Sequence, residues 1–355
     1  MKLNTPSIVH GFDLLRSAVF LAIMIFHFSW ALFAYDPYPR PDLTPNWLTQ
    51  PAYYYAQMLT LGGHVILCLS SLLFGLRLRP FAERMRTWLG LLAAWLAFAG
   101  FLHLREGGSF HLAWDVYPLV ALGWSSSYLL IFRSRRAAFI TLCFSLLLLS
   151  QSFWEWPLFT KLPLYGQEVL VGRCPEDYAD WPVLPWIGLV WASVAVGYLL
   201  RFVKDFSLRA RELPLWLGVV LVFCHYYEPH YYIDLGDAFA CALFRRSLAV
   251  RGAQLALLAL ILRIALIPEV QGALQRRAFI RWLSTLACNR RFYLAYFIHY
   301  MLIFCFFALQ EFFVLYGAQW FYALALGSLP FLTEITTRVV GKHPLSLFAL
   351  FLRRK

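Results

Sequence analysis

The first apolar segment of the chain contains three ionisable side chains at spacings that suit one helical face: Asp13, Arg16 and His27. Eleven residues make about three turns of an α-helix, so Arg16 and His27 share a face and lie roughly 16 Å apart along the axis. Asp13 precedes Arg16 by almost one turn. An imidazole exchanges a proton near neutral pH, and a guanidinium binds phosphate or carboxyl groups. The spacing therefore predicts a continuous polar stripe with acid–base capacity.

Each of these residues also has a structural interpretation. Arg16 fits an anchor whose head group reaches the membrane surface, and His27 fits a hydrogen bond between two helices. Ionisable groups within an apolar segment are costly, which favours a site or a pathway. The residue types and spacing leave both interpretations open.

The composition indicates the environment of this helix. Of 355 residues, 61% are hydrophobic and 14% are charged, and the mean hydropathy is +0.62, values that a soluble domain does not reach. Apolar runs of about 20 residues, enough to cross a bilayer, recur along the chain. We therefore predict an all-α fold with one domain over residues 1–355, a polytopic transmembrane helix bundle of about ten spans. The predicted spans are 14–34, 56–76, 88–104, 113–132, 137–153, 183–203, 213–228, 252–268, 292–310 and 312–332.

The net charge of +12 is concentrated in the polar breaks between these segments, among them the basic breaks 77–86, 133–136 and 204–212. This is the pattern of cytoplasmic loops and not of a nucleic-acid interface, so both termini are expected in the cytoplasm and nucleic acid is excluded as a partner. The acidic break 154–182 is expected outside. The first segment lacks a small-residue cleavage site, which predicts a retained anchor. The expected location is the inner membrane. Residues 235–250 carry arginines on the outer side, so they are amphipathic or re-entrant, or the span count is off by one there.

Further candidate residues lie inside or beside the predicted spans. His64 follows two glycines, where helices can approach closely, and His299 lies within the ninth span; each also fits a buried hydrogen bond. His225 and Glu228 are one turn apart, but Pro229 interrupts the periodicity, so no metal site is predicted. The seven cysteines show no metal-type or paired spacing.

Several stretches resemble, in order, a family of integral-membrane acyltransferases. They are "FDLLRSAVFLAIMIFHF", "GGHVILCLSSLLFGLRL", "DWPVLPWIGLVWASVAVGYLL" and "RRFYLAYFIHYMLIF". Arginine followed eleven positions later by histidine in the first of ten spans resembles the acyltransferase-3 family and the heparan-alpha-glucosaminide N-acetyltransferase-like proteins. The chain has Ser17, the pair Ser70–Ser71 and Tyr300 where those proteins often have other residues.

The resemblance implies transfer of an acyl group, most simply acetyl, from a cytoplasmic acyl-CoA to a hydroxyl or amine of a cell-envelope glycan at the outer face. His27 would act as general base or transient acyl carrier, and Arg16 would hold the donor. Acetyl-CoA is the implied donor, with no metal. The residues implied in substrate or donor binding are Asp13, His64, Ser70, Asp180 and His299.

Two other functions remain open on the sequence. A transporter or flippase of a lipid-linked sugar also needs polar groups in the membrane, although such proteins often show paired halves, which this chain lacks. An inert membrane scaffold is the third interpretation. The expected partners are membrane lipid, the glycan or lipid-linked sugar acceptor, acyl-CoA and an envelope protein.

Overall fold

The computed structural model describes eight stretches of the chain, some with internal gaps. They are 13–28 (without 15 and 26), 67–76, 88–100 (without 90, 94 and 98), 116–131 with 134–149, 157–171, 183–202, parts of 276–291 followed by 292–314, and 320–342. Every regular element in these stretches is helical and none is a β-strand. This agrees with the predicted all-α class. Among the helices of these stretches, none combines the length and apolar character that crossing a membrane requires.

The chain divides into two compact units. The first unit comprises Met1–Val9 and Leu67–Ile267, and the second comprises His10–Ile66 and Pro268–Lys355. The prediction of one domain over 1–355 stays a prediction. The predicted spans 213–228 and 252–268, the segment 235–250 and the basic break 77–86 lie outside the described residues.

In the first unit, helical residues at 67–76 and 88–100 precede five helices. These are α1 (Val116–Ile131), α2 (Arg135–Leu149), α3 (Pro157–Thr160), α4 (Leu164–Val171) and α5 (Val183–Leu200). α5 packs against α1 and α2, and Trp186 and Val190 are buried at its inner face. The short helices α3 and α4 lie within 154–182, which the sequence assigns to a loop.

Local sequence explains how two of these helices begin. Ser134 precedes α2, and its hydroxyl accepts a hydrogen bond of 3.0 Å from the Ala137 amide, which satisfies one of the amides that a helix start leaves unpaired. Leu184, near the start of α5, has extended dihedral angles of −99° and 124°, as expected for a residue that precedes a proline in the sequence. Continuous helix therefore follows Pro185.

The second unit contains the helical residues of 13–28, called here the N-terminal helix, with α6 (Phe292–Val314) and α7 (Trp320–Lys342). Short helical turns within 276–289 precede α6. The predicted span 312–332 begins inside the observed α6 and ends before α7 does. Its end differs because hydropathy ends a span at charged residues, whereas a helix continues through them. Glu334 and Arg338 pair one turn apart in α7, a spacing that stabilises a helix.

Candidate functional site

The N-terminal helix and α6 run parallel and bring together polar residues that are far apart in sequence. Arg16 bonds to Asn289, just before α6, whereas Phe28 contacts Phe306 well along it. His27 lies between these ends and meets His299, 272 residues away. This register creates two polar clusters along the N-terminal helix, one with α6 and one with the segment just before α6.

The histidine cluster consists of His27, His299 and Tyr300. Nδ1 of His27 and Nε2 of His299 are 2.8 Å apart, within hydrogen-bonding distance. The hydroxyl of Tyr300 lies 3.2 Å from Nε2 of His27. His299 is fully buried, whereas His27 is half-buried. Both ring nitrogens of a partly accessible histidine are thus engaged by groups that can donate or accept a proton.

Aromatic rings surround the two imidazoles and fix their orientation. Tyr296 presents its ring edge-to-face toward His27 at 5.6 Å and toward His299 at 5.0 Å. Phe20 meets His299 edge-to-face at 5.5 Å, and the two imidazoles are nearly parallel with centroids 5.1 Å apart. Such ring packing restricts rotation of both histidines.

The arginine cluster consists of Asp13, Arg16, Ser17 and Asn289. Arg16 is buried and donates a 3.2 Å hydrogen bond from Nη1 to the backbone carbonyl of Asn289. The same nitrogen lies 3.8 Å from the Asp13 carboxylate. Asn289 donates from Nδ2 to the Ser17 hydroxyl at 2.8 Å, and that hydroxyl donates to the Leu283 carbonyl at 2.7 Å. These bonds tie the N-terminal helix to the segment before α6.

The expected continuous stripe from Asp13 to His27 is two separate clusters in the structure. Phe20 is buried on the same face between Arg16 and His27, and its ring lies 5.4 Å from that of Phe292. The prediction of a continuous stripe was wrong because it used helical periodicity for the charged residues alone. The apolar residues at the same period fill the space between them.

The other predicted residues are only partly described. Ser70 is buried in the first unit, and its hydroxyl has no hydrogen-bond partner within the described stretches. The neighbouring Ser71 accepts a 3.1 Å hydrogen bond from Nε1 of Trp124. His64 and Asp180 lie outside the described residues.

Sequence reasoning did not assign roles to Tyr300 and Asn289, which the structure places in the two clusters. A signal for Tyr300 exists, because Tyr296 and Tyr300 are four residues apart around His299 and so share one helical face. Asn289 carries no periodic signal, since it precedes α6. Its role depends on the contact with Ser17.

The histidine cluster has the groups needed for proton transfer. A histidine with one nitrogen held by a neighbour and the other facing a hydroxyl has the arrangement of a general base. Within the described stretches, no group of three or more histidine, cysteine or acidic residues is placed to bind a metal ion. No family model, no curated protein and no solved structure matches the chain.

Proposed function

We propose that the chain is a membrane acyltransferase. It moves an acyl group, most simply acetyl, from a cytoplasmic acyl-CoA to a hydroxyl or amine of an envelope glycan at the outer face of the inner membrane. The proposal rests on the resemblance of the ordered motifs to integral-membrane acyltransferases and on the geometry around His27. The observation that carries it is His27, held between His299 at 2.8 Å and the Tyr300 hydroxyl at 3.2 Å.

The proposed reaction needs one base and one leaving thiol. His27 removes the proton from the acceptor hydroxyl or amine as its oxygen or nitrogen attacks the thioester carbonyl. The carbon–sulfur bond then breaks, and the thiolate takes up a proton to leave as the thiol. Positioned proton transfer of this kind contributes typically about 10²–10⁴-fold in rate. The partial exposure of His27 supports access of an acceptor to this residue.

A basic end of the second unit supports the proposed binding of an anionic donor. Arg291 donates to the Thr337 carbonyl and Arg338 donates to the Thr285 carbonyl, which brings the start of α6 and the end of α7 together beside the arginine cluster. Positive charge attracts the phosphates of CoA. Nη1 of Arg16 already contacts the Asn289 backbone carbonyl and the Asp13 carboxylate. We therefore propose that Arg16 contributes positive charge and stabilises the fold at this end of the second unit.

Outward-facing apolar side chains support a lipid environment. Leu129 of α1 is 74% exposed and Ile140 of α2 is 66% exposed. Other large apolar side chains are also exposed on α2 and α7: Phe139, Phe144, Leu147, Phe331, Ile335 and Val339. Apolar surface of this extent is unfavourable in water and favourable in contact with lipid.

Helix directions in the second unit support the proposed span order. Successive membrane helices alternate in direction, so spans separated by an even number of steps are parallel. The N-terminal helix, proposed as the first span, is parallel to α6, proposed as the ninth. α6 and α7, the proposed ninth and tenth spans, are antiparallel, because Arg291 before α6 contacts Thr337 near the end of α7.

Helix directions in the first unit follow the same rule. Phe144 contacts Trp191, and Arg135 lies over the ring of Phe202, so α2 and α5, the proposed fifth and sixth spans, are antiparallel. The helical residues 67–76 run parallel to α5, because Cys68 meets Ser193, whereas Leu72 and Leu76, one and two turns later, meet Gly197. These are the proposed second and sixth spans.

Mass spectrometry of envelope glycans from cells with and without the gene tests this proposal. Acyl groups present on a glycan only when the gene is present support acyl transfer. An unchanged glycan composition, with a lipid-linked sugar relocated between leaflets, would instead establish a transporter or flippase. If neither the acylation of the glycan nor the leaflet distribution of the lipid-linked sugar changes, the scaffold interpretation is favoured.

A further inference from the structure

His27 can act as a base only if its proton sits on one particular nitrogen. The two imidazoles share one hydrogen bond, between Nδ1 of His27 and Nε2 of His299, and a neutral imidazole has one donor and one acceptor nitrogen. If His27 donates across this bond, its Nε2 carries a lone pair that can accept a hydrogen bond from the Tyr300 hydroxyl. If His299 donates instead, Nε2 of His27 carries the proton and cannot accept another.

The surroundings of His299 favour the state in which His27 donates the hydrogen bond and His299 accepts it. The backbone groups of Ala295 and Tyr296, one turn earlier in α6, interact with the His299 ring. Nε2 of His299 faces His27, so Nδ1 is the ring nitrogen that can interact with the backbone carbonyls of Ala295 and Tyr296. This Nδ1 is buried and has no regular hydrogen bond within the described stretches. Carbonyl oxygens only accept hydrogen bonds, so they stabilise a proton on Nδ1 of His299. Nε2 of His299 is then the acceptor.

We propose that His299 is a positioning residue that holds the proton of His27 on Nδ1 and leaves Nε2 of His27 as the base. The inference deepens the proposed function and rests on it for its catalytic meaning. The Tyr300 hydroxyl donates to Nε2 in the resting state and occupies the place that the acceptor hydroxyl takes during the reaction. When the acceptor's proton moves to Nε2, the imidazolium keeps its Nδ1–H bond to His299. The same proton then passes to the departing thiolate, which returns His27 to its starting state.

The assignment predicts different effects for two substitutions of His299. His299→Gln places an amide oxygen near the position of Nε2, so it still accepts from His27 Nδ1. His299→Leu fills similar space and accepts nothing. We expect the Leu variant to lose about 10²–10⁴-fold in turnover, because the base is in the wrong tautomer, and the Gln variant to recover most of that loss. Equal loss in both variants would overturn the proposal, as would a Leu variant with wild-type turnover.

The tautomer itself can be measured without any assay of activity. Nitrogen-15 spectra of the full-length protein with labelled histidine, recorded above the pH range where histidine titrates, distinguish Nδ1–H from Nε2–H. The His27 signal is identified by its absence from the His27→Gln variant. We expect Nδ1–H on both His27 and His299, and Nε2–H on His27 would overturn the proposal even if the Leu variant does not fold. Acyl transfer by a His27→Gln variant would instead refute the proposed function, and the measured tautomer separates the two failures.

Discussion

Replacing Gly197 of α5 by alanine tests a close backbone contact between two helices of the first unit. An added Cβ at Gly197 would overlap the Leu72 carbonyl oxygen and lie 2.9 Å from the Leu72 carbonyl carbon and 3.0 Å from the Leu76 amide nitrogen. The contact is reciprocal, because a Cβ on Gly75 would overlap the Val194 carbonyl oxygen and lie 2.9 Å from the Tyr198 amide nitrogen. All of these are backbone atoms, so no side chain can rotate away.

The two energetic consequences of this substitution have opposite signs. Alanine favours a helix over glycine by about 1 kcal/mol, whereas overpacking costs typically about 1–3 kcal/mol. Because both helix backbones must move apart, we place the cost at the upper end, and the expected net loss is about 2 kcal/mol. Small residues at close helix contacts have this role in membranes as well as in water.

Gly327→Ala is the matched control for this prediction. Gly327 also lies in a helix, α7, and an added Cβ there meets no atom within 4 Å, so only the helix preference of about 1 kcal/mol remains and stability should rise slightly. Thermal unfolding in one detergent compares the two variants with wild type. Gly197→Ala should melt several degrees lower and Gly327→Ala at or slightly above wild type. A Gly197→Ala variant as stable as Gly327→Ala would refute the helix packing described for the first unit.

Two further predictions concern the arginine cluster and the topology. Arg16→Lys should lower the melting temperature, because an ammonium does not reproduce the guanidinium hydrogen bond to the backbone carbonyl of Asn289. The control is Arg201→Lys, because Arg201 is exposed. Equal melting temperatures of the two variants would contradict the role assigned to Arg16. Cysteines introduced into 77–86 should resist an impermeant reagent in intact cells, whereas cysteines in 154–182 should react. The reverse labelling pattern would show that the scheme is inverted.

Apolar runs predicted most of the described helices because a buried or lipid-facing helix needs little else. The predicted segments 113–132 and 183–203 differ from α1 and α5 by at most three residues at each end. The prediction for 312–332 was less accurate, since the pair Glu334–Arg338 extends α7 beyond its apolar part. Hydropathy describes the solvent around a helix, whereas the ends of a helix depend on local capping and pairing.

The candidate site was only half predictable for a different physical reason. Periodicity on one helix indicates that Arg16 and His27 share a face, but it does not identify the neighbour that meets that face. His299 was proposed for binding, and its hydrogen bond to His27 spans 272 residues of sequence. Such a partner depends on helix direction and register, which no local pattern encodes. For the same reason, the sequence did not predict Asn289, whose backbone carbonyl accepts a hydrogen bond from Arg16.

Acyl transfer by a His27→Gln variant is the most direct test of the proposed function. Glutamine keeps hydrogen-bonding capacity and approximate size but cannot take up a proton at neutral pH. Purified wild-type protein and the variant are each given acetyl-CoA and isolated envelope glycan, and acetylated glycan is counted by mass spectrometry per folded, monodisperse molecule. We expect transfer by wild type and a loss of about 10²–10⁴-fold in the variant. A folded His27→Gln protein that acetylates the glycan at the wild-type rate would contradict the role of His27 as the base.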